Sequence, residues 1–256
     1  MELNNSTALA PLLTKLTRRC PLSPDETDAL LALPHRLEKA KAGSYLLRQG
    51  DRIDRCGILL SGFACRHKFT GDGARQILGL HLQGDAIDLQ NNLLGVIDDN
   101  IQALTAVEIA SIPIQALAEL ATQCVNIARA FWIDVLVETS IHREWLVNLG
   151  RRDARQRLAH LLCEFALRQE AIGVSAGPDY PLPMTQEQIG DAAGLTPVHV
   201  NRTLQRLRTE GLIEFGRQSI RVLDWPRLQV AGDFSSLYLH LSRPALDFEP
   251  EMTLER

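Results

Sequence analysis

The chain has 256 residues, a net charge of -4, 45% apolar residues and 5% aromatic residues, enough apolar content for a folded core in one large domain or two ordinary ones. No apolar run reaches the ~18 residues that a membrane helix needs, and the start MELNNSTALAPLLTKL lacks the basic and long apolar regions of a secretory signal. Five singly spaced cysteines with no CxxC pair exclude a disulfide framework and a zinc knuckle, so a cytoplasmic protein that does not touch membranes is predicted.

Residues 1–34 read as an N-terminal helical segment. Residues 35–124 change texture to short apolar runs between regularly spaced glycines. Gln102-Ala103-Leu104-Thr105-Ala106-Val107 alternates as a strand does. The pairs Gly50-Asp51, Gly71-Asp72-Gly73 and Gly84-Asp85 mark turns. Many short strands with frequent turns predict a small antiparallel β-barrel. Residues 125–150 are helical. Ala128, Phe131, Val135, Glu138, His142, Trp145 and Leu149 follow the alternating three-four spacing of a coiled-coil seam. Glu138 and His142 interrupt that seam one turn apart. An ordinary i, i+4 pair at its edge is the simpler reading of the two, against a register device or pH-sensitive lock.

Residues 151–232 hold a helix, a proline- and glycine-rich loop, two short helices and a hairpin. Thr185 is placed to cap the first short helix, with Gln188 at the capping-box position. Gly194 stands where a left-handed residue ends it. Thr196 caps the next helix and Pro197 takes its first position. Val200, Leu204 and Leu207 form a buried stripe. Val198, His199, Asn201, Arg202, Gln205 and Arg206 are left on the other faces. Residues 196–221 carry five arginines against Glu210 and Glu214, so an acidic chain still owns a basic face. This order of signals predicts a helix-turn-helix whose second helix enters a DNA major groove. Residues 233–256 form a C-terminal tail predicted to be partly disordered, since its last segment, SRPALDFEPEMTLER, is acidic and proline-broken.

The stretch 185–222 resembles the winged helix-turn-helix of the Crp/Fnr family of bacterial transcription regulators. GRRDARQRLAHLLCEFALR resembles the first helix of that family's DNA-binding domain. Residues 43–90, from GSYLLRQGD to GDAIDLQ, resemble its cyclic-nucleotide-binding-like barrel. The resemblance covers about residues 35–230. It implies an α+β fold with an N-terminal barrel, a long dimerisation helix and a C-terminal winged helix-turn-helix. It also implies a homodimer on a palindromic double-stranded DNA site, with RNA polymerase as a further partner if the protein activates. The DNA-facing set is then Thr185, Gln186, Thr196, Pro197, Val198, His199, Asn201, Arg202, Gln205, Arg206, Arg217 and Gln218. Arg202 matches the arginine with which the family reads guanine. Val198 stands where members commonly place a glutamate. Asn201 is a candidate for reading adenine, and His199, Arg217 and Gln218 for touching phosphate.

Cyclic AMP-binding members clamp the phosphate with an arginine. Here Asn100 and Gln102 stand near that position, behind Asp98 and Asp99. Two carboxylates repel a phosphate, so cyclic nucleotide control is not expected. Asp88 falls near the ribose-binding glutamate position. No cofactor is assigned, although an unknown small-molecule effector fits the architecture. The alternatives are a thiol redox sensor at Cys56 or Cys65, a haem sensor using His35, His67, His81 or those cysteines, and a barrel module that serves protein contacts without DNA. An iron–sulfur cluster is disfavoured because Cys20 is the one cysteine of the N-terminal region. No Gly-rich phosphate loop, GxSxG or HExxH is present, and no enzyme activity is predicted.

Overall fold

The computed structural model describes residues 8–52, 54–90, 94–175, 177–216 and 218–241. Two short helices open it, α1 (Ala10–Thr17) and α2 (Pro24–Leu31). α2 starts where it does because Ser23 and Glu26 form a reciprocal capping box with Pro24 in the first turn. Leu12, Leu16 and Leu30 turn inward against the barrel and the long helix.

Seven strands follow: β1 (Arg36–Ala40), β2 (Tyr45–Leu47), β3 (Arg55–Ser61), β4 (Ala64–Phe69), β5 (Arg75–His81), β6 (Asn100–Ala103) and β7 (Val107–Pro113). They pair antiparallel into two sheets, ordered β1-β7-β3 and β2-β6-β4-β5. Leu59, Ala64, Ile87, Ile101, Val107 and Ile109 fill the space enclosed by the two sheets. Gly62 makes the β3–β4 turn at φ +82, where an added Cβ would strike the Ala106 carbonyl oxygen.

Pro113 ends the last strand and leads into α3 (Ile114–Gln123), then α4 (Val125–Arg151) and α5 (Ala154–Ala171). With 27 residues, α4 is about 40 Å long. The C-terminal domain adds β8 (Asp179–Pro181), α6 (Gln186–Ala193), α7 (Pro197–Thr209), β9 (Ile213–Phe215), β10 (Ser219–Val222) and α8 (Trp225–Ala231). β8-β10-β9 form a small antiparallel sheet beside the two short helices.

One core runs through this domain and reaches the barrel. Phe165, Ile189, Val200 and Leu207 pack in the same cluster as Ile77, Leu80 and Leu82 from the β5 region. An ion pair, Arg75 Nε to Asp191 Oδ2 at 2.6 Å, joins β5 to α6 across the domain boundary.

The first part of the tail, residues 233–241, is folded onto the domain. A 3₁₀ turn at Ser236–Leu239 packs there, with Phe234, Tyr238 and Leu239 in the core. Tyr238 Oη donates to Glu164 at 2.8 Å, and Arg152 Nη2 reaches the Asp233 carbonyl at 3.1 Å. Residues 242–256 lie outside the described residues.

Candidate DNA-binding interface and barrel interior

The two short helices stand as local chemistry requires. Thr185 Oγ1 accepts from Gln188 N at 3.2 Å, and Gln188 Oε1 accepts from Thr185 N at 2.9 Å. Gly194 ends α6 in the left-handed region at φ 64, ψ 41. Gly190 lies where the inter-helix turn crosses, and a Cβ there would strike the Leu195 carbonyl oxygen. Thr196 caps α7 by accepting from His199 N at 3.3 Å. Val200, Thr203, Leu204 and Leu207 are buried.

The opposite face of α7 is open. Thr196, Pro197, Val198, Asn201, Arg202, Gln205 and Arg206 are exposed and His199 is half-exposed. Val198 is 80% exposed, an apolar side chain held in solvent with no fold reason to be there. Thr185 and Gln186 are exposed at the start of α6. Asn201 Nδ2 donates to Gln186 Oε1 at 3.2 Å, so the two helices present one continuous polar surface.

The arginines of this region separate by their partners. Arg206 Nε is bonded to Glu210 at 3.0 Å, and Glu210 is also held by Arg155. Arg221 is paired with Asp179 at 2.9 and 2.7 Å. Arg202 makes no ion pair among the described residues and projects freely from the second turn of α7. Gln218 is exposed in the β9–β10 turn. Arg217 lies outside the described residues.

The seam read from α4 needs correction. Phe131 and Trp145 are 9% and 5% exposed within a single protomer. Trp145 Nε1 donates to the buried Glu164 at 3.1 and 3.0 Å. Glu138 and His142 also turn inward, Glu138 Oε1 lying 3.9 Å from Arg66 Nε and His142 packing against Gly79 of β5. Both remain partly exposed within the chain. Ala128, Val135 and Leu149 are half-buried at the border. The outward face is displaced by one residue, to Val125, Trp132, Leu136 and Leu146, which are 77%, 70%, 57% and 71% exposed.

Inside the barrel, Arg66 on β4 spans the space. Its Nη1 donates to both oxygens of Asp99 at 3.0 and 2.8 Å, and its Nη2 donates to the Ile87 carbonyl at 2.9 Å. Asp88, fully buried, lies 3.6 Å from the same guanidinium. Asp98 is at the surface with Lys68, at 2.9 Å. The sequence reading had no cation near these carboxylates. Arg66 supplies one from another strand and is consumed by them.

Residues 156–231 match the Crp-like helix-turn-helix domain, and residues 37–124 match the cyclic nucleotide-binding domain. The transcriptional activator FnrL of Cereibacter sphaeroides is 30% identical over 200 residues, covering 76% of this chain and 80% of that protein. The transcriptional activator FnrA of Stutzerimonas stutzeri is 29% identical over 203 residues, covering 79% and 83%. The chain belongs to the Crp/Fnr family of transcription regulators. The structure of FixK2 from Bradyrhizobium japonicum has the same fold, with a TM-score of 0.73 at 24% identity over 79% of this chain and 100% of that one. This Crp/Fnr regulator is therefore a DNA-binding transcription regulator and not an enzyme.

The two cysteines named for a thiol sensor lie in the interior. Cys56 and Cys65 are both fully buried, and burial pushes their thiols up to about 12 and about 11. The reactive species is the thiolate, which neither site favours. The histidines considered for haem are dispersed. His35 Nδ1 is bonded to the Leu33 carbonyl at 2.8 Å, His67 lies against the Tyr45 and Phe69 rings, and His81 sits at the end of β5. Among the described residues no three His, Cys, Asp or Glu side chains converge on a metal position. No single helix among them is long and apolar enough to cross a membrane.

Arg66, the Arg75–Asp191 pair and the outward α4 residues escaped the sequence reading. A three-four pattern through Val125, Trp132, Leu136 and Leu146 was present in the sequence. The other two depend on contacts 33 and 116 residues apart, for which no local signal exists.

Proposed function

We propose that this regulator works in the cytoplasm as a homodimer paired along the outward face of α4, with each α7 reading one half of a palindromic DNA site. Helix-turn-helix dimers read half-sites roughly 34 Å apart, one DNA turn. The apolar row on α4 supports the pairing, since large apolar side chains held in solvent in a row mark an interface. The observation that carries the DNA reading is Arg202, exposed and without an ion pair among the described residues, on a capped helix that shows Val198 to solvent.

A free guanidinium fork can bond guanine O6 and N7 together, worth about 1–3 kcal/mol of discrimination. Val198 offers contact to a thymine methyl. His199 and Gln218 are placed for phosphate, which positions the protein without specifying sequence. The bond to Gln186 uses one of the two Asn201 amide N–H groups, leaving the other and Oδ1 to read adenine.

The test begins with the site selected by this protein from a random DNA library. Arg202→Ala should weaken that site far more than random DNA and flatten preference at one guanine per half-site. His199→Ala should weaken both about equally and reduce the salt dependence. Equal loss on specific and random DNA for Arg202→Ala refutes the base-reading role.

A further inference from the structure

We propose that a cleft outside the barrel, where the two domains meet α1, binds a small organic acid with an apolar body, and that its occupancy biases the position of the DNA-binding domain. The cleft has a volume of about 450 Å³ and is walled by α1, the end of β5, α4, α5 and residues 239–241. Small-molecule sites run from roughly 300 to 1,000 Å³. Leu80, Leu82, Ile141, Ile172, Leu239 and Leu241 supply apolar wall.

Charge at the mouth selects an anion. Lys15, Arg19 and Arg168 share two carboxylates. Lys15 lies 2.8 Å from both Asp85 and Asp134, Arg19 2.6 Å from Asp134, and Arg168 3.2 Å from Asp85. Arg168 also reaches Glu164 at 3.5 Å, so these three cations are matched by three carboxylates. Arg18 also lines the cleft, and it makes no ion pair among the described residues. The remaining carboxyl of the lining, Glu138, is raised by burial, which favours its neutral form and weakens its opposition to an acid.

A second observation is independent of the charges. His81 lines the cleft, is 4% exposed, and its Nε2 has no hydrogen-bond partner. A buried polar atom without a partner on the wall of a cleft is a place where a bound molecule completes the structure. A carboxylate held at Arg18 and Arg19 leaves the apolar body along the leucine-lined wall and its far end near His81, where a hydroxyl or carbonyl on the ligand supplies the missing partner; octanoate probes the acid end and the body alone.

Coupling follows from which elements form the walls. Leu80 and His81 belong to the barrel, whereas Arg168 and Ile172 belong to the domain that carries α7. A molecule touching both favours the arrangement in which both are in reach. The second half of the proposal thus rests on the DNA-binding function given above.

The test uses the full chain and calorimetry with octanoate, 1-octanol and octylamine. Two variants change exposed positions on α1 and at its C-terminal cap: Thr14→Trp fills the mouth, and Arg18→Gln removes the free charge. Octanoate should bind best and octylamine worst. Arg18→Gln should weaken octanoate about fivefold, the scale of one exposed ion pair, and leave octanol unchanged. Thr14→Trp should remove binding of all three. No binding of any probe, a preference for octylamine, or octanoate binding indifferent to both substitutions would overturn the site. These titrations contain no DNA, so their failure leaves the DNA reading intact. Saturating octanoate should then shift the affinity for the selected DNA, measured by fluorescence anisotropy. Unchanged affinity with octanoate bound overturns the coupling.

Discussion

The dimer face proposed on α4 yields a quantitative prediction through Leu146→Ala. Leu146 is 71% exposed in the protomer. Burying a whole leucine is worth about 2 kcal/mol. The exposed share, less the Cβ that alanine keeps, comes to about 1–1.5 kcal/mol per chain on that scale. A two-fold interface uses the residue once from each subunit, so the dimer loses about 2–3 kcal/mol. That is about a 30- to 150-fold weaker dimerisation constant. Sedimentation equilibrium on the full chain measures it directly. The control is Phe131→Leu, on the face first assigned to the seam but buried in its own protomer. It should lower the melting temperature and leave the dimerisation constant in place. A dimer unmoved by Leu146→Ala, or weakened as much by Phe131→Leu, refutes the placement of the interface.

Cyclic AMP and cyclic GMP should give no heat of binding in calorimetry at physiological concentrations, because Arg66 is already committed to Asp99 and the Ile87 carbonyl; saturable micromolar binding would contradict this. Gly190→Ala should destabilise the C-terminal domain by up to about 2 kcal/mol, the about 1–3 kcal/mol of forcing a group into packed backbone less the ~1 kcal/mol alanine returns as a helix former. Unchanged denaturant midpoints would show that the turn yields. The histidines set a pH dependence. Burial lowers His160 to about 4 and His81 to about 3. The unfolded chain protonates them near 6.5 while the folded chain does not, so their contribution is whole above that pH and is lost as pH falls from 6.5 toward 4. Glu138 and Glu164, both raised by burial, oppose this by taking up protons in the folded state. His160→Gln should therefore make the fall in unfolding free energy between pH 6.5 and 4.5 shallower. An unchanged slope in denaturant titrations would remove His160 from the account.

The helix-turn-helix could be read from the sequence because its signals are local. Thr185 with Gln188, Gly194, Thr196 and Pro197 act within a few residues, and the stripe Val200, Leu204, Leu207 repeats within one helix. Capping, left-handed glycine and proline chemistry operate the same way in any surroundings. The strand-rich character of residues 35–124 was legible for the same reason, through turns at Gly50, Gly73 and Gly84, all at positive φ.

The tertiary structure decided what local rules left degenerate. Two three-four rows run along α4, one through Phe131 and Trp145 and one through Trp132 and Leu146. They differ by one residue, about 100° of rotation, and both satisfy the spacing. Which row faces outward depended on the barrel and α5 covering the other, with Glu164 in place to take the Trp145 N–H. The barrel interior was decided similarly. Asp99 read as a free carboxylate until the sheet brought Arg66 beside it from 33 residues away. Charge pairs of that separation follow from strand order, and strand order belongs to the assembled sheet.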